Sequence, residues 1–265
     1  MEKRLIARGL LAGLIAAVLA FVFARLCAEP VIARAIAFED GRTDAEDAHG
    51  VHEHGAELFT RGVQSNIGLG FGVLIFGVAM GALFAVLFCV VYSRVSDRAE
   101  APGPRALSVQ LAVAAFVSVY LLPFVKYPPN PPAVGQSDTI GARTTWYLVS
   151  VLASVVLAAG AVWLARRLER RFGSWNAGLL AVSSYVVTVA VVLALLPTMD
   201  ETPVPLRDAS GAIIYPGFPA DVLYEFRLLS LTTQLVLWVV IGLVFSTLAS
   251  RLLSERSDRA SSIAA

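Results

Sequence analysis

Residues 145–196 read TWYLVSVLASVVLAAGAVWLARRLERRFGSWNAGLLAVSSYVVTVAVVLALL, two apolar runs separated by an arginine-rich segment. Each run, 145–165 and 175–196, has about the 20 residues that an α-helix needs to cross a hydrocarbon core roughly 30 Å thick. The segment between the runs carries Arg166, Arg167, Arg170 and Arg171. The pattern predicts two membrane-spanning helices joined by a short basic turn.

The composition of the whole chain agrees with a membrane protein. The 265 residues are 57% hydrophobic and 15% charged, with a mean hydropathy of +0.71. A soluble domain of this length is normally about a quarter charged. The formal net charge of +1 lacks the basic excess of a nucleic-acid-binding surface. We therefore expect an integral membrane protein whose main partner is the lipid bilayer, with no nucleic acid.

The same length criterion predicts six spans along the chain. They cover residues 5–28, 64–92, 107–125, 145–165, 175–196 and 228–250. The predicted fold is all-α, a single bundle over residues 1–265. Its three long connections, 29–63, 126–144 and 197–227, all fall on one side of the membrane.

Charge predicts the orientation of this bundle. With the N-terminus in the cytoplasm, the inner segments hold 13 of the 21 basic residues, and the outer connections hold seven. Because short cytoplasmic segments are enriched in Lys and Arg, both termini are predicted to be cytoplasmic. The outer side then holds 14 of the 20 acidic residues. This acidity would concentrate cations, or it would simply reflect the exclusion of basic residues from that side.

All three histidines of the chain fall in the first outer connection. His49, His52 and His54 lie in AHGVHEHG, residues 48–55, among several carboxylates. Imidazole and carboxylate groups suit divalent transition metals such as cobalt, nickel, zinc and copper. The pattern indicates weak capture of a cation; the alternative is a polar loop that is rich in histidine by chance.

Charge within the predicted spans is scarce. Arg25 lies near the outer end of the first span, and Glu29 four residues later would form either an interfacial anchor pair with it or the mouth of a cation path. An ion path would otherwise depend on uncharged groups such as the hydroxyls of Ser118 and Ser154. The chain has no GxxxxGK[ST] loop and no nucleophile–base pairing, so we expect neither ATP binding by this chain nor enzymatic activity.

Glycines spaced four apart occur in the first two spans. The pairs are Gly9 and Gly13, Gly68 and Gly72, and Gly77 and Gly81. Such spacing lets two helix backbones approach closely, and the alternative role is a hinge. We expect tight helix packing at these positions.

Several segments resemble the CbtA family of predicted cobalt transporter subunits along nearly the full chain. They are FARLCAEPVIARAIAFE, the histidine-bearing loop that follows it, RGVQSNIGLG, KYPPNPPAVG with DTIGART, and PADVLYEFRLLS. The resemblance implies a bacterial cytoplasmic-membrane protein linked to cobalt supply for cobalamin synthesis. It also implies a small CbtB-like partner subunit with one membrane span and a histidine-bearing end.

The resemblance implies a set of cation-binding positions. Those most able to meet a cation are His49, His52, His54, Glu29, Asp138 and Glu225. Asp138 and Glu225 could equally form structural ion pairs with Arg143 and Arg227. We expect an uptake subunit for a divalent metal, with Co²⁺ as cargo, Ni²⁺ or Zn²⁺ as alternatives, and no permanently bound cofactor. The rival functions are a non-transporting scaffold that assembles another transporter and a carrier for an organic solute.

Overall fold

The computed structural model describes residues 2–49, 69–96, 101–135 and 138–264, without the side chains of 69 and 256–264. The chain divides into two compact units. The first unit takes its residues from 1–30, 54–116 and 229–265, and the second from 31–53 and 117–228.

The described chain is almost entirely helical, as expected of an all-α membrane protein. Its elements are α1 Glu2–Phe23, a π-helical turn Ala24–Ala28, α2 Glu29–Ala48, α3 Leu69–Val95, α4 Pro104–Ala115, a second π-helical turn Phe116–Leu121, α5 Leu122–Lys126, α6 Ile140–Leu195, β1 Leu206–Arg207, β2 Ile213–Tyr215 and α7 Ala220–Ala264. Among the described residues, five helices are long and apolar enough to cross a membrane. They are Glu2–Ala48, Gly70–Val95, Pro104–Lys126, Ile140–Leu195 and Ala220–Glu255.

Helix α6 is broken at Gly173. With 56 residues, a continuous helix would be about 84 Å long, nearly three times the thickness of a hydrocarbon core. Gly173 has φ 75° and ψ 163°, a conformation that glycine adopts without the steric cost that other residues incur. The two apolar runs of residues 145–196 therefore lie on either side of this break.

A hydroxyl cluster shows that the chain reverses at the break. The Tyr185 hydroxyl hydrogen-bonds with Ser154 Oγ at 2.8 Å and with Ser118 Oγ at 3.2 Å. Ser154 and Tyr185 are 31 positions apart, so a straight helix would separate them by about 46 Å. The two parts of α6 must instead fold back on each other within the second unit.

Each π-helical turn comes shortly before a proline. Pro30 follows the turn Ala24–Ala28, and Pro123 follows the turn Phe116–Leu121. Proline has no N–H, and its ring clashes with the carbonyl four residues earlier, so the helix widens locally. In the first turn the Glu29 N–H reaches back five residues to the Ala24 carbonyl. In the second, the Val119 carbonyl, four residues before Pro123, accepts a long hydrogen bond of 3.4 Å from the Tyr147 hydroxyl.

The first outer connection, predicted at 29–63, begins with a helix. Helix α2 covers Glu29–Ala48, while residues 50–68 lie outside the described part of the chain. Alanines and an i,i+4 ion pair between Arg42 and Glu46, with Nε and Oε1 3.0 Å apart, favour helix over irregular structure here. Polarity alone marks such a segment as a connection without showing that it is helical.

The glycine pairs bring α1 and α3 into backbone contact. A Cβ added at Gly81 would lie 2.2 Å from the Gly9 carbonyl oxygen, and one added at Gly13 would lie 2.3 Å from the Gly77 carbonyl oxygen. The packing prediction is therefore confirmed for these four glycines. Gly72 has no atom within 4 Å of its would-be Cβ, and Gly68 lies outside the described residues.

Candidate functional site

His49 lies at the C-terminal end of α2, where its side chain is exposed. Its backbone N–H donates to the Glu46 carbonyl at 3.1 Å, and its ring Nδ1 donates to the Ala45 carbonyl at 2.8 Å. This bond places the proton on Nδ1 and leaves the lone pair of Nε2 for a ligand. Metal-binding histidines commonly use the second ring nitrogen in this way.

The end of α2 that bears His49 is strongly acidic. From residue 39 to the end of the helix there are five carboxylates and one arginine. The C-terminus of a helix also carries the negative end of its macrodipole, because its last carbonyls lack intrahelical donors. Both effects attract cations to the turn that holds His49. His52 and His54 lie outside the described residues.

Helix α2 is anchored within the second unit by an aromatic cluster and by charge. The ring of Phe38 contacts those of Tyr215 and Phe218, with centroid distances of 5.2 and 4.9 Å. Arg34 pairs with Glu225 and lies 3.7 Å from Asp221. These contacts hold the acidic helix against the third connection and the start of α7.

The third connection forms a small antiparallel hairpin, β1–β2. Its turn is held by Asp208, whose Oδ1 accepts hydrogen bonds from the Ser210 N–H at 2.8 Å, the Ser210 hydroxyl at 2.6 Å and the Ala212 N–H at 2.9 Å. Gly211 in this turn has φ 87°, which suits glycine. The bonds from Ser210 and Ala212 lower the pKa of Asp208 below its ordinary value of 3.8. The charged carboxylate is thus part of the turn.

The lowered pKa of Asp208 predicts that acid loosens the hairpin. A group whose pKa is lower in the folded state stabilises that state above its ordinary pKa, and the effect is lost as the pH falls through the folded value. The measurement is the protection of the Ala212 amide against hydrogen exchange, corrected for the intrinsic exchange rate. We expect this protection to equal its neutral-pH value above pH 5 and to fall below about pH 4. Asp208→Ala, which removes the acceptor oxygen, should exchange rapidly at every pH; protection of Ala212 in that variant, or pH-independent protection in the wild type, would contradict the role of the carboxylate.

The other described residues that were predicted to bind a cation each have local surroundings different from those of His49. Glu29 is the half-buried first residue of α2, Asp138 is exposed just before α6, and Glu225 is paired with Arg34. The alternative ion pairs proposed for Asp138 and Glu225 are also not formed, since Arg143 pairs with Glu201 instead. No three His, Cys, Asp or Glu residues of the described segments are grouped closely enough to hold a metal ion.

Glu201, which no sequence pattern singles out, is the most buried carboxylate of the described residues, and its side chain is 3% exposed. Its oxygens accept hydrogen bonds from Arg143, from the Thr139 hydroxyl and from Asn130 Nδ2 at 3.0 Å. Arg143 also donates to the Pro128 carbonyl. These donors satisfy the oxygens of a carboxylate that is removed from water.

This network joins three segments that are distant in the sequence. Asn130 lies in the proline cluster KYPPNPPAVG, Glu201 lies in PTMDETPVPL, and Arg227, in PADVLYEFR, donates to Asn130 Oδ1 at 3.1 Å. Tyr127 adds a hydrogen bond from its hydroxyl to the Pro197 carbonyl at 2.7 Å. A polar residue between prolines, as in PPNPP, is the one sequence signal that could have pointed to this network.

A cavity of about 600 Å³ adjoins the network within the second unit. Its aromatic wall is formed by Tyr120, Phe124, Tyr127 and Tyr147, and Asn130, Arg143, Thr144 and Glu201 supply polar groups. Since Arg143 and Glu201 neutralise each other, the charged groups of this lining carry no net charge. The cavity therefore lacks the negative charge that a bare divalent cation requires.

Comparison with known proteins identifies one family. A family model described as "Probable cobalt transporter subunit (CbtA)" matches residues 2–250. No curated protein and no solved structure matches the chain.

Proposed function

The chain belongs to the CbtA family of probable cobalt transporter subunits, and from this premise we propose that it takes up a divalent transition-metal cation across the bacterial cytoplasmic membrane. Co²⁺ is the proposed cargo; Ni²⁺ and Zn²⁺ suit the same donor groups. A transporter subunit requires a partner, and we propose a small single-span CbtB-like subunit. The chain itself binds no ATP and holds no permanent cofactor.

We propose six membrane spans with both termini in the cytoplasm. The support is the break at Gly173, which divides the longest of the five apolar helices into two parts, each long enough to span a bilayer. The hydrogen bond between Ser154 and Tyr185 requires these parts to lie side by side. Six spans also place the basic turn 166–171 on the inner side, as the distribution of Lys and Arg favours.

Reporter fusions and cysteine labelling test this topology. A C-terminal green fluorescent protein should fluoresce, since that reporter folds only inside the cell; a chain with five spans and a cytoplasmic N-terminus would place it outside, where it stays dark. In a background with Cys27→Ala and Cys89→Ala, Ser210→Cys should react with an impermeant maleimide in intact cells. Ser174→Cys should react only after lysis.

The observation that carries the uptake proposal is the acidic end of α2 with His49 at its tip. His49 presents Nε2, because Nδ1 is bound to the Ala45 carbonyl, and the anchored helix supplies the surrounding negative charge. His52 and His54 follow within five residues and would complete the set of donors. We propose that this segment captures the ion outside the cell. Glu29 is proposed to lie on the outer side of the membrane, and Asp138 to belong to the same outer, cation-attracting surface as this segment. Glu225 belongs to it too, through its pairing with Arg34.

The membrane potential can supply the energy for uptake. A charge gains about 2.3 kcal/mol per 100 mV, so a divalent cation gains roughly 4.6 kcal/mol per 100 mV from an inside-negative potential. This is sufficient for accumulation without ATP hydrolysis. Collapse of the potential by an ionophore should therefore abolish accumulation of the ion above its external concentration.

Removal of the three imidazoles tests the capture step. In cells that express the chain with its partner, His49→Ala/His52→Ala/His54→Ala should lower radiolabelled cobalt uptake about tenfold at limiting metal, as expected for a loss of binding affinity, and leave uptake at saturating metal unchanged. Thr43→Ala is the matched control, because its exposed hydroxyl bonds only to the Glu39 carbonyl of the same helix. Unchanged uptake by the triple variant at both concentrations would exclude the segment from capture. An absence of chain-dependent uptake in the wild type would favour the scaffold function.

The cavity favours a second candidate function, the carriage of a small organic molecule. A volume of about 600 Å³ with aromatic walls and a few polar groups is typical of small-molecule sites. Asn130→Leu would remove the amide that bridges Glu201 and Arg227. If the cavity carries the substrate, this change and not the histidine triple variant should abolish accumulation of solute.

A further inference from the structure

The residues on either side of the break in α6 include an exposed group of arginines and tryptophans. We define the basic-aromatic turn as Trp163, Arg166, Arg167, Arg170, Arg171 and Trp175, which adjoin the break at Gly173. All six side chains are exposed, and Trp163 and Trp175 are 61% and 77% exposed. Tryptophan indoles rarely face water to this extent, but they are common where a protein meets lipid headgroups.

The four arginines of this turn make no ion pair with any residue of the described segments. Two of the four contact aromatic rings instead. The Arg167 guanidinium carbon lies 5.7 Å from the ring centroid of Trp163, and that of Arg171 lies 5.3 Å from the ring centroid of Phe172. Such stacking uses the face of the guanidinium and leaves its N–H edge free to bind an anion.

Only Glu169 offsets this charge within the segment, and its side chain is exposed. Four guanidiniums at the junction of two apolar helices therefore present a concentrated positive surface at the level where the chain leaves the hydrocarbon. Guanidinium groups bind phosphate with two parallel hydrogen bonds. A basic cluster that adjoins a membrane span is the pattern expected for attraction to anionic lipid.

We propose that the basic-aromatic turn binds the phosphate headgroups of anionic phospholipids in the membrane leaflet that it faces. The tryptophans insert at the headgroup level, and the arginines bind the phosphates. The expected ligand is lipid because the guanidinium groups and the tryptophans directly adjoin the apolar helices. Both therefore lie at the level of the lipid headgroups. The inference depends on the six-span topology proposed above, which brings the turn to the membrane surface, and is independent of the cargo.

Thermal unfolding of the purified full-length chain with added lipid tests this proposal. Phosphatidylglycerol should raise the unfolding temperature, and phosphatidylcholine should not. In Arg166→Gln/Arg167→Gln/Arg170→Gln/Arg171→Gln the lipid concentration needed for half of the effect should rise about tenfold or more. The matched control removes four positive charges from the first unit, with Lys3→Gln, Arg4→Gln, Arg94→Gln and Arg251→Gln, and should keep most of the response.

Equal responses to phosphatidylglycerol in the two quadruple variants would overturn the proposal, whether both are retained or both are lost. If the first variant fails to fold, Arg170→Gln/Arg171→Gln gives the same comparison with a smaller charge change, and it should show an intermediate loss. Native mass spectrometry should detect phosphatidylglycerol bound to the wild type. The fraction of protein with bound lipid should be smaller for this double variant. Since these measurements use purified protein without metal, their failure would not affect the uptake proposal, which is tested in cells.

Discussion

Gly81→Val is expected to destabilise the first unit strongly. A Cβ at this position would lie 2.2 Å from the Gly9 carbonyl oxygen and 2.7 Å from the Gly13 Cα. Both contacts are with the backbone, so no side-chain rotation can relieve them. Helices α1 and α3 would have to separate along their common interface. Overpacking usually costs about 1–3 kcal/mol, and we expect a cost of about 3 kcal/mol or more where two backbones must move.

The membrane makes this separation especially costly. Lipid offers apolar contacts as good as those of side chains, so helices associate mainly through close packing of their surfaces. The measurement is unfolding of the purified protein in mixed micelles as the denaturing detergent increases, together with the fraction of protein that elutes as a single species.

Gly72→Val is the matched control on the same helix, because nothing lies within 4 Å of its would-be Cβ. It adds the same side chain and incurs the same change in helix propensity. Near-normal unfolding is expected for this variant. Equal destabilisation by both substitutions would show that propensity, and not the α1–α3 contact, determines the result.

The sequence predicts the membrane helices and their glycine contacts well, since both depend on local patterns. An apolar run of sufficient length can avoid unsatisfied backbone groups in lipid only as a helix. The spacing of Gly9 with Gly13 and of Gly77 with Gly81 predicts a narrow face on each helix. The pattern does not predict the structure between the apolar runs. In α2, for example, the ion pair Arg42–Glu46 and the packing of Phe38 against the hairpin favour a helix.

The polar network of the second unit could not be predicted for a different reason. Its members, Asn130, Arg143, Glu201 and Arg227, are brought together only by folding, and a list of acids and arginines does not show which of them pair. An ion pair with Arg227 was the alternative to cation binding for Glu225, but Glu225 pairs with Arg34. Glu201 is already bound by Arg143, so its carboxylate is not available to a cation.

Glu201→Gln is expected to destabilise the second unit by about 3 kcal/mol, the scale of a broken buried ion pair. Glutamine keeps the shape and an acceptor oxygen but removes the charge. Arg143, whose side chain is only 20% exposed, would then hold a positive charge without its carboxylate. The same detergent-unfolding measurement gives the change in free energy, and the double variant Glu201→Gln/Arg143→Gln should recover a large part of the loss.

The exposed ion pair Arg34–Glu225 tests whether burial causes the large loss of stability expected for Glu201→Gln. Its side chains are 46% and 45% exposed, and surface ion pairs contribute about 0–1 kcal/mol. Glu225→Gln should therefore cost less than about 1 kcal/mol, although it removes the same charge by the same substitution. A similar loss in both variants, with no recovery in the double variant, would contradict a role for the buried charge pair. A large loss only at Glu201 that Arg143→Gln reverses would mean that this pair holds the proline cluster against the third connection. In that case the wall of the cavity depends on a carboxylate that cannot also bind the transported ion.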